Sequence, residues 1–186
     1  MDESQTCGNG LPAINRFITD HDIEGKSVFS TRNPESLQWE NVGGIKDFSL
    51  AYTTTSFPVK LQGNVDIQDY ETKLQKKPGI IIRGGTVLRY VDLGPGVTSP
   101  MHQTISLDYG VVIEGQIELV LDSGEWRIVN RGDVAIQRAT AHEWRNTSKT
   151  QSARLLLCLQ EAEPILISGQ PLEEEYGHSM PGVRPS

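Results

Sequence analysis

The chain has 186 residues, 37% hydrophobic and 22% charged, with a formal charge of −7 and a pI near 5.1. That length sustains one buried core and is short for two independent domains. Acidic and basic residues are interspersed rather than blocked, which leaves no electrostatic footprint for nucleic acid or anionic lipid and favours a small molecule or another protein as partner.

Residues 1–12, "MDESQTCGNGLP", are polar and have little to bury, so they read as a flexible N-terminus. They lack the basic and apolar regions of a signal peptide, and no apolar run reaches the roughly 18 residues of a spanning helix, so the expectation is a soluble cytoplasmic protein. Cys7 sits in this segment and Cys158 in the apolar run "LLLCLQ", a distribution that suits unpaired thiols in a reducing compartment. "AINRFITDHDIEGKSVFST" gives two short β pieces around a turn-rich joint that contains His21, read as a surface histidine. Residues 33–79 are irregular, with a β-rich "FSLAYTTTSFPVKL" and a polar "DIQDYETKLQKKPG" that is compatible with a helix.

From residue 80, short apolar or β-branched runs recur about every eight to twelve residues between Gly, Asp and Ser, the pattern of an antiparallel sandwich or barrel. The single domain is expected over 13–165, with 166–186 as an acidic, Pro-containing tail that includes His178 and has no assigned role.

Within this region "PMHQTISLDYGVVIEG" alternates in an unusual way. On a regular strand His102, Thr104, Ser106, Asp108 and Gly110 share one face, while Gln103, Ile105, Leu107, Tyr109 and Val111 share the other. The polar face belongs either to solvent or to a barrel interior where polar groups are gathered for chemistry.

The spacing around that strand resembles the first motif of the cupin superfamily, G-x5-H-x-H-x3/4-E-x6-G, in Gly96, His102, Thr104, Asp108 and Gly115. "GDVAIQRATAHEWRN", from Gly132 to Asn146, resembles the second motif in His142 and Asn146, with Gln137 and Ala139 where the family usually has Pro and Gly. Between them "QIELVLDSGEWRIVNRGD" reads as a hairpin with "DSGE" as its turn. The resemblance is strong over about residues 80–160 and loose elsewhere.

A small single-domain cupin of the conserved-barrel type implies an all-β fold, a double-stranded β-helix or jelly-roll barrel with an N-terminal strand extension. It also implies a homodimer and a site inside the barrel. The family's usual three His and one Glu become His102, Thr104, His142 and Asp108 here. His102, Asp108 and His142 then form an expected set of three ligands for one divalent transition metal, Fe, Zn, Mn or Ni. Because Asp is one methylene shorter than Glu and Thr is a poor ligand, a metal-free acid/base site built on the same three residues is the alternative.

By parity Trp144 and Asn146 share the face of His142, which places an indole beside the site either as core or as a substrate surface. Arg89 and Tyr90 fall on opposite faces of "TVLRYVDL", with apolar residues on both sides, so the sequence does not decide which one enters the barrel. If it is Arg89, it is a candidate carboxylate clamp. Arg138 is read as a surface or rim residue.

The expected function is a lyase or isomerase acting on a small polar metabolite, by decarboxylation or dehydration through an enolate-like intermediate. His102, Asp108 and His142 are its catalytic candidates, and Thr104, Trp144 and Arg89 its substrate-binding candidates. Small cupins of this kind often accompany natural-product pathways. An Fe(II)-dependent dioxygenase and a non-catalytic ligand-binding module are the competing readings.

Overall fold

A computed structural model describes residues 9–42 and 46–175; Cys7, His178 and the end of the tail lie outside the described residues. The N-terminal pieces pair as an antiparallel hairpin of β1 (Thr19–His21) and β2 (Ser27–Phe29), with His21 exposed. β3 (Glu40–Val42) and β4 (Lys46–Thr54) follow, then a 3-10 turn (Gln62–Asn64) and helix α1 (Val65–Gln75).

The helix is polar overall, yet Ile67 and Tyr70 are buried and Leu74 packs beside them, a one-sided apolar stripe at three- and four-residue spacing. Tertiary contact rather than propensity holds it. The Tyr70 hydroxyl donates to the Leu50 carbonyl at 2.9 Å, and the Arg16 guanidinium lies over the Tyr70 ring, 5.1 Å from its centroid.

The barrel proper comprises β5 (Thr86–Leu93), β6 (Ser106–Glu114), β7 (Gln116–Leu121), β8 (Trp126–Asn130), β9 (Val134–Arg138), β10 (His142–Arg145) and β11 (Ala153–Glu161). Among the described residues a six-stranded antiparallel sheet runs β3-β4-β5-β11-β6-β9, and a three-stranded sheet runs β10-β7-β8. β11 pairs with both β5 and β6, and as an interior strand it is apolar on both faces ("LLLCL"). The β7–β8 hairpin turns where "DSGE" requires it, with Gly124 at φ 85° and the Leu121 N–H donating to Glu125 O at 2.8 Å. Val91, Leu93, Val112, Ile117, Trp144 and Leu155 from both sheets form the main core.

Gly115 ends β6 at φ 76°, and a Cβ there would lie 3.0 Å from the Ala153 Cβ, so the first motif's last glycine is required by both conformation and space. Ala139, where the family usually has Gly, also takes a left-handed conformation, φ 52°.

The composition of residues 1–12 implies mobility, but residues 9–12 are tied to the barrel. Asp92 and Arg154, both fully buried, form a two-point ion pair on β5 and β11 with N···O distances of 2.6 Å each. Asn9 donates to Asp92 at 2.7 Å, Arg154 donates to Pro12 O at 2.6 Å, and Leu11 is buried. The Trp39 ring lies 4.7 Å from the guanidinium carbon. Thus the N-terminal segment covers a charge pair that would otherwise be exposed at the barrel wall. The first part of the tail is likewise structured, as a small hairpin of β12 (Leu166–Ile167) and β13 (Gln170–Pro171), and Glu175 bridges to Gln103.

Candidate active site

The polar face of the opening strand does turn inward. Thr104, Ser106, Asp108 and Gly110 are buried in alternation, whereas Tyr109 is exposed. The expectation of one regular strand from residue 102 needs correction, because β6 begins at Ser106. His102 instead sits in an isolated bridge with His142, each backbone N–H donating to the other's carbonyl at 2.9 Å. Side chains of such a pair project from the same face, and the two imidazoles lie 4.3 Å apart between ring centroids.

Both rings are held in the same way. His102 Nδ1 lies 2.8 Å from Pro100 O and His142 Nδ1 lies 2.8 Å from Thr140 O. A carbonyl can only accept, so each Nδ1 carries hydrogen and each neutral ring keeps its lone pair on Nε2. Burial pushes the His142 pKa down to about 3, with the neighbouring His102 adding to the effect, and burial also lowers that of His102. At neutral pH the pair is therefore uncharged, a set of two acceptors rather than an imidazolium donor.

The rings line a cavity of ≈ 60 Å³, room for about four to six waters at some 10–15 Å³ each. Leu93, Leu155 and Leu157 supply apolar walls, and Trp144, 5% exposed, closes one side, its ring edge-on to His142 at 5.8 Å. Trp144 belongs at once to the core cluster and to the cavity wall. Asn146 does not line it; its Nδ2 donates to Leu93 O, Gly94 O and Gln151 O at 3.0, 2.9 and 2.9 Å, which ties the loop after β10 to the end of β5.

Asp108 lines the same cavity, with Gln137 opposite it on β9. Burial pushes its pKa up to about 6, against hydrogen bonding by Ser106 and the charge of Arg89, which pull it down. Its Oδ1 is buried without a hydrogen-bond partner. Thr104 Oγ1 is engaged with Ser106 Oγ at 2.6 Å.

Arg89, not Tyr90, faces the interior. Its Nη2 donates to Gly79 O and Ile80 O at 2.9 and 3.4 Å, while its Nε is buried without a partner. Tyr90 points the other way, towards Trp39. Burial lowers the Arg89 pKa to about 10, so the group stays cationic at neutral pH. Arg138 is exposed, as expected of a rim residue.

The expected three-ligand metal set is not assembled. Among the described residues no three His, Cys, Asp or Glu side chains come together in a group that could hold a metal ion. The two imidazoles offer two nitrogen donors, and Asp108 lines the same cavity with its carboxyl under the influence of Ser106 and Arg89. The donor set present here therefore does not fit the facial arrangement of two histidines and one carboxylate.

Lys46 is a cavity residue that the motif spacing does not reveal. It is 6% exposed, and burial lowers its pKa. A signal existed in parity: Lys46, Phe48 and Leu50 alternate on β4, which places the lysine on the apolar inward side.

A family model described as "Cupin domain" matches residues 89–159. The chain is 51% identical over 176 residues to "Phomopsin biosynthesis cluster protein D" of Diaporthe leptostromiformis, covering 95% of this chain and 93% of that protein. It is 42% identical to "Cupin-domain-containing oxidoreductase fogC" of Aspergillus ruber, covering 90% and 82% respectively. Among solved structures, an RmlC-like cupin from Shewanella frigidimarina aligns with a TM-score of 0.45 and 12% identity, over 68% of this chain and 86% of that one. The barrel, the paired motif histidines at its interior and these full-length relatives together show that the chain belongs to the cupin family.

Proposed function

We propose that this cupin is a small-molecule enzyme of the lyase or isomerase type, which moves a proton at carbon next to a carbonyl through an enolate-like intermediate, as a tailoring step of natural-product metabolism. The observation that carries the reading is a buried carboxylate, Asp108, with a free oxygen and a pKa near 6, sharing a cavity with a cationic Arg89 whose Nε is unpartnered. A general base works best when its pKa lies near the working pH, and Asp108 meets that condition better than His142, which burial pushes down to about 3.

In this reading Asp108 Oδ1 takes the carbon-bound proton, and the Arg89 Nε–H donates to the oxyanion as charge develops there. His102 and His142 accept hydrogen bonds from substrate hydroxyls through Nε2. The protonated Asp108 then returns its proton to another carbon, giving isomerisation, or to a departing hydroxyl, giving dehydration with loss of water. In decarboxylation the C–C bond breaks, CO2 departs, the electron pair enters the enolate, and Asp108 in its protonated form, which takes its proton from solvent before each turnover, protonates the carbon. The sequence offered His102 and His142 as ligands or acid/base groups and Asp108 as a third ligand or orienter; in this reading the proton transfer falls to Asp108.

The test is a screen of small β-keto and β-hydroxy carbonyl compounds, followed by proton NMR under nitrogen. Turnover without oxygen is expected; turnover strictly dependent on O2 refutes the reading. The second reading, an Fe(II)-dependent dioxygenase, is supported by the oxidoreductase name of a 42% identical relative and opposed by the incomplete ligand set. Oxygen uptake that appears only when iron is added back would establish it.

A homodimer is part of the proposal. The apolar outer side of the six-stranded sheet, where Tyr109, Val134 and Ile136 are exposed, supports it. Light scattering that returns a single chain's 20.6 kDa rules it out.

A further inference from the structure

The cavity's charge is opposite to that of the molecule. The chain as a whole carries −7, yet two cations, Lys46 and Arg89, line a cavity whose one carboxylate is Asp108 and whose two imidazoles are neutral. The cations are neighbours. Lys46 and Phe48 project inward from β4 opposite Leu93 and Val91, and Arg89 projects inward from the same strand as those two residues. Lys46 Nζ lies 5.4 Å from the Phe48 ring centroid and the Arg89 guanidinium carbon 5.8 Å from it, so one aromatic ring carries both positive heads.

Among the described residues neither cation sits in a salt bridge: Asp108 and Glu40 act on Arg89 only at longer range, and Lys46 feels burial alone. Arg89 Nη2 donates only to the carbonyls of Gly79 and Ile80, its Nε has no partner, and the Lys46 ammonium's one described contact is the Phe48 ring. An ammonium on a largely buried side chain with no salt-bridge partner is costly, and the quadrupole of one ring offsets only part of that cost. A ligand that brings negative charge removes the deficit.

We infer that Lys46, with Arg89 across the Phe48 ring, forms a cationic pole that binds a carboxylate of the substrate, so that the enzyme acts on a small carboxylic acid rather than on a neutral metabolite. The inference rests on the lyase or isomerase reading for the reaction and names its substrate class. A carboxylate held at this pole places the remainder of a short ligand along a cavity that contains Asp108 and the two Nε2 acceptors. It also leaves the Arg89 Nε–H available to the adjacent carbonyl.

The experiment compares malonate with malonamide, which has nearly the same shape and no charge, by isothermal titration at matched ionic strength. Malonate is expected to bind the wild-type protein at least tenfold tighter than malonamide. Lys46→Met is expected to weaken malonate at least tenfold while leaving malonamide unchanged, and Lys46→Arg to retain malonate within about threefold. Folding of each variant is checked by its melting temperature, which Lys46→Met should hold or raise because it removes an unpaired buried charge.

Equal binding of the two probes, absence of malonate binding to wild type, or unchanged malonate affinity in Lys46→Met overturns the inference. The reaction proposal fails separately. Carboxylate binding through Lys46 with no turnover of any carboxylic acid defeats the reaction and leaves the pole standing. Turnover of an uncharged substrate that Lys46→Met does not slow defeats the pole and leaves the reaction standing.

Discussion

Replacing Asp108 by Asn should stabilise the protein while abolishing its chemistry, and the size of the effect follows from the site. The carboxyl's pKa is pushed from 3.8 to about 6 because burial removes the hydration of its anion. The folded chain therefore holds this proton more tightly than the unfolded chain. Stability from the neutral form is fully present below 3.8 and is lost as pH rises through about 6. The full difference corresponds to about 3 kcal/mol at pH 7–8 and about 1 kcal/mol at pH 4.5.

Asn keeps the shape and stays neutral throughout. Urea unfolding of both proteins should show Asp108→Asn more stable by up to about 3 kcal/mol at pH 8, with the gap shrinking to about 1 kcal/mol at pH 4.5. A variant less stable than wild type at pH 8, or a gap that does not change with pH, would refute the reasoning. A stabilising change at a buried polar position is what a site that trades stability for function should show.

Three further predictions concern the frame and the imidazoles. Asn146→Asp replaces a donor by a charge facing the carbonyls of Leu93, Gly94 and Gln151, and should cost about 3 kcal/mol or more in thermal or urea unfolding; a loss under about 1 kcal/mol contradicts this role. Asp92→Ala leaves the fully buried Arg154 without its carboxylate and should cost about 3–5 kcal/mol, whereas the apolar pair Asp92→Leu with Arg154→Met should recover most of it. If the double variant is as unstable as the single one, the ion pair is not the cause. Finally, nitrogen NMR of the His142 imidazole should show the neutral Nδ1–H form at pH 6, given a pKa pushed down to about 3. An imidazolium at that pH contradicts the geometry.

Much of the barrel was legible in the sequence because a strand buried on one side writes its face at every second residue. The shared face of Thr104, Ser106 and Asp108 and that of His142, Trp144 and Asn146 are both of this kind, whereas the inward direction of the first was open on alternation alone and is implied by the resemblance. The meeting of His102 and His142 is implied by the resemblance of the two motifs to those of the cupin family. What spacing did not reveal is that the strand is interrupted: β6 begins at Ser106 and His102 sits in an isolated bridge with His142, which a residue count does not encode.

Arg89 could not be placed because its strand is apolar on both sides, the outer side being covered near Trp39 and the N-terminal segment. Lys46 was overlooked because an isolated lysine ordinarily reads as solvent-exposed. The anchoring of residues 9–12 was hidden for a related reason: it depends on a charge pair, Asp92 and Arg154, in two strands that otherwise look like core.

The account stands or falls on proton transfer by Asp108. The most direct measurement is incorporation of deuterium from D2O at the carbon next to the carbonyl of a turned-over keto acid, followed by NMR under nitrogen with wild type and Asp108→Asn in parallel. The account predicts exchange by the wild-type enzyme without oxygen, and a rate at least a hundredfold lower in the variant, the ordinary worth of a positioned general base. Exchange that proceeds equally well in Asp108→Asn, or that is absent in a wild-type enzyme consuming oxygen instead, would contradict it.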